Sequence, residues 1–282
     1  MTTAGPGEIR ARRRPWFVLG LAGARMLAGL CLAWPLAALI SNSGVGLRAE
    51  GDRALFEGGG YLLLDIVRLE GSELLAAARG LLPLLLLGLL LTAASNAALL
   101  VALNLRERLR SLDWLPRAWA RLPALVVLGA GTALAQLLLV LLAAVGSSAV
   151  PELLSNPVLT TALQGAVWLI ALALASAVGG FSDSCKASVV RHEARLTHGL
   201  SRAWRGLSQQ PLHTCFGWLP YALAFLAAMV VTAQLTEAID VSRSGAWRVV
   251  AVGAVHQLVI VASVAARAAW FARALRFAAT HA

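Results

Sequence analysis

Apolar positions along this chain come in long unbroken runs, without the alternation of a half-buried strand or the three-and-four spacing of a surface helix. Six runs reach the roughly 20 residues a helix needs to cross hydrocarbon, at about 16–40, 80–104, 122–147, 157–181, 213–236 and 246–271. The polar segments between them are short, apart from an outer loop at 41–79. The pattern predicts an all-α fold: a polytopic transmembrane helix bundle with six spans, forming a single domain over residues 1–282. The first run follows "IRARRRPW", which has the basic character of a signal peptide start. Its apolar stretch exceeds the roughly 7–15 residues of a signal core, and "LAALISNSG" is a weak cleavage signal, so a retained span is expected.

Composition agrees, with 59% hydrophobic residues, 13% charged residues and a mean hydropathy of +0.75. A net charge of +10 raises the possibility of nucleic acid binding, but the placement of the charges excludes it. With the N-terminus in the cytoplasm, 18 basic residues fall on the inner side and six on the outer side, where nine acids accompany them. This asymmetry predicts that both termini are cytoplasmic. The expected setting is a bacterial inner (plasma) membrane, whose anionic lipid head groups are natural partners for the inner arginines.

Arg-Ala-Trp occurs twice ahead of a span, in "PRAWARLP" and "SRAWRGLSQQP". Over 191–207, Leu196, Leu200, Trp204 and Leu207 share one side of a helix while His198, Arg202 and Arg205 lie opposite. In the earlier copy Leu115, Trp119 and Leu122 share a face, Arg117 and Arg121 point away, and Pro116 and Pro123 are expected to open and close a short helix. Both copies read as interfacial elbow helices, with Arg117, Trp119, Arg202, Trp204 and Arg205 as anchors. Prolines 15, 123 and 211 precede the three outward spans, consistent with a repeated unit of elbow, span out and span back.

Polar residues within spans need a reason, because each costs free energy unless paired. Gln136, Gln164, His256 and Gln257 fall in the outer half, Gln136 about 16 Å and His256 about 15 Å below the outer surface. They form a candidate intramembrane polar cluster, whose alternative is interhelical hydrogen bonding. Asn96 lies deeper. Small-residue stretches such as "LGAGTALA" and "VASVAARAA" favour close helix packing, within one chain or in a homo-oligomer.

No catalytic, cofactor-binding or metal site emerges. Cys185, in an expected inner loop at 182–212, and Cys215 have no disulfide pattern, and with His192 and His213 they lack zinc-ligand spacing. A serine in the fourth span and a histidine in the sixth resemble the layout of rhomboid intramembrane proteases. Ser176, however, lacks their flanking glycines and lies about 28 Å down, far from His256. In the outer loop, Gly58, Gly59 and Gly60 mark a turn, and Asp65 and Glu57 are the carboxylates that an enzyme of the outer leaflet would use.

The alternation of basic elbows and paired spans, with "DSCKASVVRHEARLTHGLSRAWRGLSQQP" after the fourth span, resembles uncharacterised bacterial six-span integral membrane proteins. Among these is the membrane region sometimes fused to glycerophosphodiester phosphodiesterases. The resemblance implies a fold type and carries over no functional residue. The expected role is a non-enzymatic membrane-embedded module or scaffold of a larger system, with a membrane partner. The alternative is a transporter or permease subunit for a small or lipid-like solute.

Overall fold

The computed structural model describes residues 5–42, 71–105, 114–153, 156–239 and 246–280. Two short 3₁₀ turns, Pro6–Glu8 and Ala11–Arg13, precede eight helices among the described residues: α1 (Pro15–Asn42), α2 (Gly71–Asn104), α3 (Trp114–Leu153), α4 (Pro157–Arg191), α5 (Leu196–Gln209), α6 (Pro211–Phe216), α7 (Leu219–Ile239) and α8 (Ala246–Thr280). Five segments are long and apolar enough to cross a membrane: Leu86–Asn104, Trp114–Pro151, Pro157–Arg191, Pro211–Ile239 and Val250–Thr280. The described apolar part of α1, Pro15–Cys31, is shorter. In four of the five, only 6–11% of the most apolar window is buried within the protein. Side chains such as Leu142 and Leu169, each 68% exposed, therefore need a hydrocarbon surrounding.

The chain divides into two compact units, residues 22–92 and the remainder, 1–21 with 93–282. The first consists of the later part of α1 and the earlier part of α2, with the rest of the expected outer loop lying outside the described residues. The second holds the packed helices. Here α3 pairs with α4 and α7 with α8, and the end of α4 is enclosed by α5, α6 and α8.

Several predicted boundaries are corrected. Residues 71–79, expected in the outer loop, belong to α2. The fourth span continues to Arg191, so the inner loop expected at 182–212 is mostly helical and Cys185 is a buried helical residue. Pro123 does not close a separate elbow, because α3 runs through it from Trp114. With the preceding helical residues already spanning about two and a half turns, the lost N–H costs one intrahelical bond and does not end the helix. The fifth span is broken, since Gly217 and Trp218 form a turn between α6 and α7. Prolines 15 and 211 do open helices, and α5 forms as expected. Its buried face, though, is Gly199, Ala203 and Gly206, while Leu200 and Trp204 face outward.

Close approach explains the small residues at the end of α4. A Cβ on Gly180 would collide with the Cys215 carbonyl of α6, and one on Gly199 with the Val189 side chain. Gly180→Ala should therefore destabilise the protein by about 1–3 kcal/mol, seen as a lower thermal midpoint in detergent. Gly165→Ala, whose Cβ meets nothing within 4 Å, should not.

Candidate functional site

The helix α4 has 35 residues, about 52 Å of length, more than the roughly 40–45 Å of a bilayer with its head groups. Its surplus is the polar segment "SDSCKASVV", every residue of which, Ser182 to Val190, is buried. A polar helix buried on all sides must satisfy its groups internally, and this one does so through neighbouring elements. Ser182 exchanges a hydrogen bond with Thr132 of α3, and Ser184 donates to its own Gly180 carbonyl. At the end, Arg191 donates to Asn104 Oδ1 at 2.8 Å, and Asn104 Nδ2 donates to the Val190 carbonyl at 3.4 Å.

Asp183 is the centre of this segment, with a side chain only 6% exposed. The guanidinium of Arg267, on α8, meets its carboxylate fork to fork, Nη2 to Oδ1 and Nη1 to Oδ2 both at 2.8 Å. Lys186, one turn along α4, donates to Oδ1 at 3.2 Å, and the indole of Trp270 donates to Oδ2 at 2.9 Å. Arg267 also lies 4.4 Å over the ring of Phe271. Four donors thus hold one carboxylate, and two cations share a single negative charge. The hub is a charged knot between α4 and α8 with one positive charge in excess.

Other arginines fasten the remaining helix ends. Arg14 donates to the Leu105 carbonyl at 2.8 Å, and Arg276 to the Ile9 carbonyl at 2.6 Å. Arg273 Nε donates to His213 Nε2 at 3.0 Å, and that ring stacks on Phe277. Arg121 approaches Glu193 at 3.6 Å. His192 caps α4 and donates through Nε2 to the Ala278 carbonyl at 3.1 Å. Burial, assisted by the nearby Arg202 and Arg191, pushes its pKa below the usual 6.5, against the raising effect of the Ala278 bond.

The hydrogen bonds of the expected intramembrane cluster go to backbone. Gln136 donates to the Ala175 carbonyl at 2.9 Å and Gln164 to the Ser147 carbonyl at 3.0 Å, both across the α3–α4 pair. His256 turns back to its own helix at the Val252 carbonyl. Gln257 Oε1 is buried and, like Asn96 Oδ1, meets no donor among the described residues. Of the expected anchors, Trp119 and Trp204 are well exposed and Arg205 is exposed, whereas Arg117 and Arg202 are half-buried. Trp204 nevertheless touches Phe181 edge to face. Arg117 lines a cavity of about 250 Å³ with Arg121, Asn104 and Glu193.

The hub had a signal in the sequence: an acid and the chain's single lysine three residues apart, in a run of small residues at the end of a span. Arg267 lies 84 positions away, beyond any local pattern. No group of three or more potential metal ligands occurs among the described residues, and the three cysteines are free. Compared with family models, curated proteins and solved structures, the chain matches none.

Two outcomes are expected. Asp183→Asn leaves Lys186 and Arg267 without their counter-charge and should cost about 3–5 kcal/mol, whereas exchanging Asp183, Lys186 and Arg267 together for Leu, Met and Met should recover much of it; thermal unfolding in detergent measures both. His192, with its folded pKa below its unfolded one, contributes stability that is complete above about pH 6.5 and is lost as pH falls through the folded pKa, because the unfolded chain protonates first. The thermal midpoint should drop on acidification through this window. The drop should be smaller in His192→Gln, whose amide still donates to Ala278 without titrating.

Proposed function

We propose that the chain is a six-span protein of the bacterial inner membrane with both termini in the cytoplasm. It performs no chemistry itself and serves as a membrane-embedded module or scaffold of a larger system, in contact with anionic lipid head groups. The observation that carries this reading is where its polar groups are spent. Gln136 and Gln164 bond to the backbone of a neighbouring helix, and Asp183 is held by Lys186, Arg267 and Trp270. Such groups stiffen a bundle and define its packing. The inner arginines support the orientation through their number, and α5 supports the contact with lipid through its exposed Trp204 and Arg205. The resemblance of the segment after the fourth span to membrane regions fused to phosphodiesterases is in keeping with a module that works beside a separate partner.

The rival reading is a permease subunit with Gln136, Gln164 and His256 touching the solute. Burial of 182–190 would leave α5 as the face for a cytoplasmic motor. A two-part experiment separates them. Cysteine placed at Ser201, on exposed α5, in a chain otherwise cleared of cysteine should resist a membrane-impermeant maleimide in intact cells and react after permeabilisation. The Gln136→Leu, His256→Leu double variant should keep the partner recovered by gentle detergent extraction, together with wild-type solute uptake and export. Selective loss of one solute's transport in that variant would favour the permease.

A further inference from the structure

Two cavities meet at Tyr221, near the inner ends of α7 and α8. One, of about 400 Å³, is lined by His213, Tyr221, Arg273, Arg276, Phe277 and Thr280. The other, of about 190 Å³, runs along the α7–α8 seam between Trp218, Phe225, Ala266 and Trp270, with Arg267 and Tyr221 also in its wall. The first is cationic and the second is mostly aromatic and apolar. Tyr221 belongs to both and inclines toward Trp270, ring centroids 6.4 Å apart.

The charge in the first cavity is not neutralised. Arg273 gives one donor to His213 and Arg276 one to the Ile9 carbonyl, and neither guanidinium meets a carboxylate among the described residues. A guanidinium has five donors, so most of both forks is still available to a ligand, and no acid among the described residues lines the cavity. His213 accepts the Arg273 Nε–H through Nε2. At the floor of the second cavity, Arg267 brings the hub's surplus positive charge. An anion bearing an alkyl chain complements both parts at once. A small soluble anion would fill the first cavity and leave the second empty.

We propose that these two cavities, which share Tyr221, together bind one anionic glycerophospholipid. Its phosphate sits in the forks of Arg273 and Arg276, a geometry guanidinium matches with paired hydrogen bonds. One acyl chain lies along the α7–α8 seam against Trp218, Phe225 and Ala266. Basic pockets at the inner ends of spans are suited to such head groups. The site rests on the proposed membrane location and narrows the lipid contact to one place, apart from the exposed anchors Trp119 and Trp204.

The test is native mass spectrometry of the full chain in detergent, titrated with phosphatidylglycerol or phosphatidylcholine. One phosphatidylglycerol should be retained in preference to phosphatidylcholine. Arg273→Gln with Arg276→Gln should weaken it about tenfold or more, and Arg276→Lys, which keeps the charge without the fork, should weaken it less than Arg276→Gln does. Ala266→Phe, which leaves both arginines in place, should weaken lipid binding by filling the seam, keeping the proposal open to refutation if the arginine variants fold poorly. Equal retention of the two lipids, or no effect of Ala266→Phe, overturns it. Binding of glycerol 3-phosphate that displaces the lipid equally well from wild type and Ala266→Phe would mark a soluble-anion pocket and overturn it too. Recovery of every variant in the membrane fraction reads the membrane location separately. Lost lipid selectivity with that recovery intact refutes this site alone.

Discussion

A carboxylate removed from water must be met by donors in full, and the structure around Asp183 is organised by that requirement. Its partners come from two helices: Lys186 lies one turn on within α4, while Arg267 and Trp270 come from α8. Once these are joined, the rotation of α8 about its axis is set. The same rotation carries Arg273 to His213 on α6 and Arg276 to the N-terminal turn. Spans surrounded by lipid gain little from apolar burial against one another, because the tails are as apolar as leucine. The charged knot at Asp183 gives the helices one arrangement where greasy surfaces alone allow many.

Arginines can therefore serve two purposes in such a chain. Arginines in number bias which side a segment stays on as a chain enters a membrane, and here the guanidinium groups of Arg14, Arg191, Arg267, Arg273 and Arg276 also close the structure, reaching a carbonyl, an amide, a carboxylate or an imidazole. A lysine meets the first need as well as an arginine does, but it cannot form the paired contact that Arg267 makes with Asp183.

Much of the helical plan was legible because hydrocarbon imposes a length on each apolar run. The amphipathic character of α5 and the helix starts at Pro15 and Pro211 were readable for equally local reasons. The errors share one cause. Serine, aspartate and lysine after residue 181 read as loop because polarity normally means water, and only the presence of α5, α6 and α8 around them makes a buried polar helix affordable. Pro123 reads as a stop on local grounds, while α3 on both sides of it tolerates one missing bond. For Gln136 and Gln164 the demand for a partner was visible and its identity was not: Ala175 and Ser147 are backbone acceptors, and any residue presents one. The outer-loop residues Glu57, Gly58, Gly59, Gly60 and Asp65 lie outside the described residues.

The bond from Arg276 to the Ile9 carbonyl joins positions 267 residues apart. Ribosomes add on the order of 5–20 residues each second, so the N-terminal turn is made tens of seconds before its guanidinium partner exists. Ile9, fully enclosed in the finished protein, has to wait in another environment until α8 is in place. The earlier-made partner thus docks only when α8 is present, a latch that waits for the later helix.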